Sequence, residues 1–318
     1  MCAESADQPS QGPGGSKRAE SDRTGAPAVA PGLHLVATPI GNVGDLGDRA
    51  RAVLAAADIV ACEDTRVTGR LLARLGISTP LAAYHDHNAA RARPKLLARL
   101  RAGETVALVS DAGTPLVSDP GYRLVRACID EDLPLTAEPG PSAALTALVL
   151  SGLPTDRFLF AGFPPPRAAA RRRTLAEVAA VPATLIFYDS ARRLADCLAD
   201  MADILGDRNA AVARELTKKF EEIRRGSLAE LAAAYAVEGP PKGEVTIVVG
   251  PPAAPGPIAG DDLDRRLRDA LDGASLRDAA AAVAAATGLP RRRVYARALE
   301  IAGEMGSGDE AGEDGADG

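Results

Sequence analysis

From Leu33 onward, short apolar runs alternate with longer segments of helical period. The runs "LHLVAT" (33–38), "DIVACE" (58–63), "LAAY" (81–84), "TVALVS" (105–110) and "LPLTAE" (133–138) read as buried strands, each bounded by turn residues. Asp45 to Ala57 and Pro94 to Ala102 read as helices between them. Strand and helix in strict alternation imply right-handed crossovers and a largely parallel, doubly wound sheet, which places one α/β domain at 32–153. A second alternating set, "RFLFAGF" (157–163), "ATLIFYDS" (183–190), "AAVARELT" (210–217) and "EVTIVVG" (244–250), places a second doubly wound α/β domain at 154–250. After the Pro/Gly linker "GPPAAPGPIAG" the pattern turns wholly helical. Ser275 suits an N-cap with Asp278 in the first turn, Gly288 a C-terminal stop, and Pro290 the first turn of a last helix. The expected fold is therefore two doubly wound α/β domains followed by a small helix-turn-helix-like module at 261–303.

The chain ends read differently. Residues 1–31 are rich in Pro, Gly, Ser and Ala with no continuous apolar core, so a disordered extension is expected and not a signal peptide or anchor. Residues 304–318 hold six acids and no base, and are expected to be a disordered tail. Of 318 residues 46% are hydrophobic, enough for two cores, and no stretch approaches the roughly 20 apolar residues of a membrane helix. The net charge of -6 comes from that tail, and without its six acids the 37 basic residues meet an equal number of acidic ones. Arginine dominates the bases, so arginine richness alone says little about nucleic acid. Cys2, Cys62, Cys128 and Cys197 have no metal-ligand spacing and read as free thiols, pointing to the cytoplasm.

Candidate chemistry concentrates where the strands of the first domain end. In a parallel sheet those carboxyl ends share one rim, and the loops gathered there are "TPIGN" (38–42), "EDTR" (63–66), "HDHN" (85–88), "SDAGTPLVSDPG" (110–121) and "EPGPSAA" (138–144). Polar and Gly/Pro residues crowd into them, as in a binding rim. The first loop is not a dinucleotide fingerprint: its glycines fall at Gly41, Gly44 and Gly47, and Pro39 removes an N–H that a pyrophosphate would use. Asp111, followed by Ala-Gly-Thr-Pro, is placed to meet a ligand hydroxyl or ammonium. His85 and His87 invite a metal reading, but no third ligand accompanies them, and no metal is expected. A Walker lysine and a G-x-S-x-G elbow are both missing, which argues against P-loop and hydrolase chemistry.

Together with "LPTDRF", "FYDSARR" and "ARELTK", these loops closely resemble the ribosomal RNA small subunit methyltransferase I family of the tetrapyrrole methylase superfamily, over roughly Leu33 to Ile301. The resemblance implies S-adenosylmethionine bound in a cleft between the two α/β domains, a homodimer, and methyl transfer to the ribose 2′-hydroxyl of a cytidine in the decoding region of 16S rRNA, as naked RNA or small ribosomal subunit. It implies that Pro39, Asp111, Ala112, Gly113, Ser142 and Ala143 line the cofactor from the first domain, with Tyr188 and Leu216 closing over it from the second. Asp64, His85, Asp86 and His87 are the candidates for a base that removes the hydroxyl proton. Arg66 suits a phosphate of the RNA, and Arg291, Arg292, Arg293 and Arg297 form a further expected RNA contact, with Arg167 and the Arg171–Arg173 run as its substitute. Two other readings compete. Methylation of a small tetrapyrrole would need neither the helical module nor its arginines, and a non-catalytic RNA-binding protein would not need the complete polar rim.

Overall fold

The computed structural model describes residues 29–253 and 260–307; the first 28 residues and the last 11, to which most of the expected extension and tail belong, lie outside them. Tertiary packing divides the chain into two compact units, one running to Leu150 with Ala213–Ile223 added, the other comprising Ser151–Val212 and the chain from Arg224. The segment Ala213–Ile223, which the strand pattern places in the second domain, thus belongs with the first.

The first unit contains β1 (Gly32–Val36), β2 (Ile59–Cys62), β3 (Leu81–Ala83), β4 (Thr105–Leu108) and β5 (Leu135–Glu138). They form one sheet in the order β3-β2-β4-β1-β5, and every pair in it is parallel. Alternation sorts its side chains onto two faces. On one, Leu33, Ala61, Val106 and Leu108 pack with α3 (Ala89–Arg101) and α4 (Tyr122–Asp130). On the other, Val36, Val60, Cys62, Ala107 and Val109 pack with α1 (Asp48–Ala56) and α2 (Thr65–Leu75). α5 (Ala143–Ser151) follows β5. Pro94 sits inside α3, in its second turn, where it withholds one i→i−4 hydrogen bond from the helix. Val29 packs into the second of these clusters, and the Ala30 carbonyl lies 2.8 Å from Nε2 of His34, so residues 29–31 belong to the fold and not to a tail.

The second sheet consists of β6 (Phe158–Gly162), β7 (Thr184–Ser190), β8 (Asn209–Arg214), β9 (Glu222–Ser227) and β10 (Glu244–Val249), in the order β6-β7-β10-β8-β9. Leu185 and Phe187 of β7, Val212 of β8 and Ile247 of β10 share one core with α6 (Ala168–Val178), α7 (Leu194–Leu205) and α8 (Leu228–Glu238). β6 and β7 are parallel, but β7 and β10 are antiparallel, so this sheet is mixed where strict alternation predicts parallel pairing. Strand β9 is absent from the sequence reading. Its stretch "EIRRGS" has one large apolar residue, and it forms an edge whose charges find partners: Glu222 with Arg214 at 2.9 Å and Arg224 with Glu238 at 2.7 Å.

The C-terminal helices α9 (Gly260–Leu271), α10 (Leu276–Thr287) and α11 (Arg291–Ser307) bury Leu263, Leu267, Val283, Val294, Ala298 and Ile301 in a core of their own. Ser275 caps α10 through the Asp278 amide at 3.2 Å, and Gly288 ends it with φ at 68°. Pro290 stands just before α11, its carbonyl accepting the first bonds of the helix. No described helix is long and apolar enough to cross a membrane.

Helix α8 starts with a complete capping box: Ser227 accepts from the Glu230 amide at 3.2 Å, and Glu230 accepts from the Ser227 amide at 2.8 Å. Ser227→Ala is expected to lower stability by about 1 kcal/mol in urea unfolding, with an unchanged dependence on denaturant concentration.

Candidate active site

The position of the site follows from the winding of the first sheet. β1 and β4 are neighbours, yet β1 feeds α1 on one face and β4 feeds α4 on the other. A crevice opens outside the carboxyl ends of two strands whose helices diverge in this way. The loops "TPIGN" and "SDAGTP" are the ones that border it.

These loops are stitched together by hydrogen bonds of their own. Thr38 and Gly113 exchange backbone hydrogen bonds in both directions, at 2.9 and 3.0 Å. The buried Thr38 hydroxyl donates to the Ser110 carbonyl at 3.1 Å, and the buried Ser110 hydroxyl to the Gly113 carbonyl at 3.1 Å. Thr114 donates to the Pro141 carbonyl at 3.2 Å, joining the loop after β5. Gly113 has φ at 83°, and a Cβ there would lie 3.4 Å from the Ile40 side chain. Further along, Leu116 and Ser118 also hold left-handed conformations, which side chains rarely adopt outside functional loops. Pro39 and Asp111 are half-buried and Ala112 is exposed on this framework, while Ser142 accepts from the Thr146 amide at the head of α5 beside Ala143.

Carboxyl groups converge on the same rim. One oxygen of Asp111 accepts from the Asp64 amide at 3.1 Å, and the other has no hydrogen-bond partner among the described residues. Glu63 and Asp119, absent from the expected site, join it. Burial pushes Asp119 up to about 6, helped by the charges of Glu63 and Asp111. Burial likewise raises Glu63, with Asp111 and Asp86 adding to it. The motifs "EDTR" and "SDPG" contain both residues, but only the packing of their loops against one another reveals that they share a field.

Asp64 does not suit the role of base. Its carboxylate caps α2 through the Arg66 amide at 2.8 Å and receives the Arg66 guanidinium at 2.6 Å, which holds it far below the usual aspartate range. A carboxylate so stabilised in its charged form has little affinity for a proton. Arg66 is correspondingly occupied by Asp64, although its side chain remains 86% exposed. His85 is half-buried, with Nδ1 unpartnered among the described residues and its ring 6.1 Å from that of His87; Asp86 and His87 are exposed.

Leu216 reaches the rim as part of the first unit, not the second. It is buried, and its carbonyl would lie 2.9 Å from a Cβ on Gly41, where the Lys218 side chain would be at 2.4 Å. Close approach of residues 216–218 is therefore why Gly41 is glycine. Tyr188, in the second unit, stacks edge-on with Phe160 at 4.9 Å and Phe163 at 5.4 Å.

Among the arginines, Arg291, Arg292 and Arg293 are solvent-exposed at the head of α11. Arg297 is not available in the same way: it grips Asp264 of α9 at 2.6 and 2.8 Å and also pairs with Glu300, fastening two helices together. Glu304, counted with the tail, lies in α11 and faces Arg268 at 3.6 Å. Arg171 is buried on Asp200 at 2.6 Å, and Arg172 bridges Asp200 and Asp203, so these two are structural, whereas Arg173 and Arg167 are exposed. Cys62, Cys128 and Cys197 are free and buried.

Comparison with known proteins settles the kinship. The family model for tetrapyrrole (corrin/porphyrin) methylases matches residues 32–232, and that for the RsmI C-terminal HTH domain matches 257–302. A protein of Mesorhizobium japonicum named ribosomal RNA small subunit methyltransferase I is 52% identical over 88% of this chain and 96% of its own length. The chain belongs to the ribosomal RNA small subunit methyltransferase I family. Proteins of the same name from Vibrio cholerae and Escherichia coli O157:H7 are each 45% identical, over 89% and 85% of this chain and 100% and 96% of theirs. Among solved structures, diphthine synthase (TM-score 0.54, 14% identity, 69% of this chain and 89% of that one) and cobalt precorrin-4 methyltransferase (TM-score 0.51, 18% identity, 69% and 94%) share the fold.

The raised Asp119 yields a pH prediction. A carboxyl whose folded value lies above its unfolded 3.8 favours folding while protonated, and that advantage is lost as pH rises through about 6. Asp119→Asn should thus be more stable than the parent above pH 6, with the difference shrinking as pH falls toward 4. Thermal unfolding across this range checks it.

Proposed function

We propose that the protein is an S-adenosylmethionine-dependent methyltransferase that methylates the ribose 2′-hydroxyl of a cytidine in the decoding region of 16S rRNA, acting as a cytoplasmic homodimer. The observation that carries the cofactor assignment is the acid-rich crevice at the ends of β1 and β4. Glu63, Asp111 and Asp119 make it hostile to phosphate and hospitable to a sulfonium and an ammonium. Pro39, which withholds an N–H from a pyrophosphate, is no handicap there. The unpartnered oxygen of Asp111 suits a ligand hydroxyl or ammonium, and Gly113, Ala112, Ser142 and Ala143 offer backbone that a ligand can approach closely. Tyr188 and Leu216 complete the proposed set.

The bound cofactor supplies a methyl already activated by its sulfonium. The chain's own task is to hold the ribose oxygen in line with that methyl and to keep water out, for which prestitched loops are suited. Removal of the hydroxyl proton falls to His85, Asp86 or His87 in preference to Asp64, and such help is worth roughly 10²- to 10⁴-fold in rate. Homology to small subunit methyltransferases and the C-terminal helices with Arg291, Arg292 and Arg293 favour RNA over a small tetrapyrrole as substrate. Leu145 and Val149, exposed one turn apart on α5, support association with a second copy.

Asp111→Ala should weaken S-adenosylmethionine binding by roughly 10- to 100-fold in calorimetry, the loss expected of a hydrogen bond to a charged group. Unchanged affinity would remove Asp111 from the site.

For the RNA, ribose methylation should be absent from one decoding-region cytidine in cells lacking the protein and restored by the purified enzyme. Replacing Arg291, Arg292 and Arg293 together by Gln should weaken subunit binding and flatten its salt dependence by about 0.7 to 0.9 per lost phosphate contact, without changing cofactor affinity. A full salt slope in the variant would move the RNA contact elsewhere.

A further inference from the structure

The connection between β8 and β9, residues 215–221, is unlike an ordinary turn. Glu215 and Thr217, neither of them glycine, hold φ values of 49° and 62°. The loop keeps this conformation through its own bonds: the Thr217 amide donates to the Glu221 carboxylate at 2.6 Å, Lys218 pairs with Glu215 at 2.9 Å, and the Lys218 amide donates to the Glu215 carbonyl at 3.0 Å. It is also anchored to the rim of the first sheet. The Asn42 amide donates to the Thr217 hydroxyl at 3.1 Å, and residues 216–218 fill the space that a side chain on Gly41 would need.

The anchoring bonds involve Glu215, Thr217, Lys218 and Glu221, and Lys219 and Phe220 take no part in them. Phe220 is 64% exposed, although the rest of the loop is tightly held, and Lys219 is exposed with its ammonium 5.6 Å from the centre of the Phe220 ring. An exposed aromatic ring on a rigid support, beside a cation, is the combination that single-stranded nucleic acid uses: a base stacks on the ring and the neighbouring phosphate meets the charge. A mobile turn would lose that contact to the entropy of ordering, and this one is already ordered. The lysine is notable in a chain with 37 basic residues of which few are lysine, since Lys218 and Lys219 stand together here.

Resting on the proposed rRNA substrate, we propose that Lys219 and Phe220 form a single-strand RNA contact beside the cofactor loop, Phe220 stacking on an unpaired base near the target nucleotide and Lys219 binding its phosphate. Because the loop is bonded to "TPIGN", this contact fixes the RNA relative to the proposed cofactor position, and both residues are positioning residues.

The test uses the full-length enzyme with purified small ribosomal subunits. Phe220→Ala should lower subunit affinity by roughly 5- to 100-fold, the range of one base-stacking contact, with the salt slope unchanged. Phe220→Tyr should restore it. Lys219→Gln should instead reduce the salt slope by about 0.7, the share of one single-strand phosphate. All three should bind S-adenosylmethionine like the parent. If the parent methylates subunits and the Phe220→Ala and Lys219→Gln variants match it in affinity and slope, this inference is overturned alone. If Phe220→Ala changes the sedimentation mass while subunit affinity stays the same, the ring serves a second copy of the chain and the RNA contact is refuted. A parent that neither binds nor methylates subunits would overturn the proposed function and this contact together.

Discussion

A parallel sheet wound on both faces leaves a gap where neighbouring strands send their helices to opposite sides, and in this chain that gap falls between β1 and β4. The rest of the first unit is arranged around that constraint. Thr38 and Gly113 bridge the two strand ends by a reciprocal pair of backbone bonds, Ser110 braces its own loop on the Gly113 carbonyl, and Thr114 extends the bridge to the loop after β5. Gly113, with its positive φ, is the turn that allows this. The bonds satisfy backbone groups that a crevice would otherwise leave bare.

Charge is distributed with a comparable division of labour. Carboxyl groups collect at the crevice, where burial and mutual repulsion favour their protonated forms in Glu63 and Asp119. Many arginines are held elsewhere by acids: Arg171 by Asp200, Arg193 by Asp189, Arg214 by Glu222, Arg297 by Asp264. The buried Asp189 and half-buried Arg193 of "FYDSARR" link the end of β7 to the Pro164 carbonyl, which gives that motif a structural duty. Lys219 and Arg291, Arg292 and Arg293 are by contrast exposed, with no ion pair among the described residues, and can meet a polyanion.

What the sequence by itself determined was the set of elements and the loops that matter. Apolar runs of strand length bounded by Gly and Pro located nine of the strands, because burial on both faces demands such runs, and Ser275 and Gly288 marked α10 through requirements local to the backbone. Eight motifs in order carried the family. Tertiary structure alone decided the remainder. The edge strand β9 has no apolar pattern, since an edge is stabilised by ion pairs with partners chosen in space. The roles of Arg297 and Asp64 were equally hidden: an arginine reads as a cation until the fold brings Asp264 to it, and a carboxylate reads as a base until Arg66 folds back on it. Leu216 follows the same logic, since it joins the first unit only because Gly41 leaves room for its backbone. Local propensity is written in neighbouring residues, whereas a side chain's charge state and company depend on what distant segments place beside it.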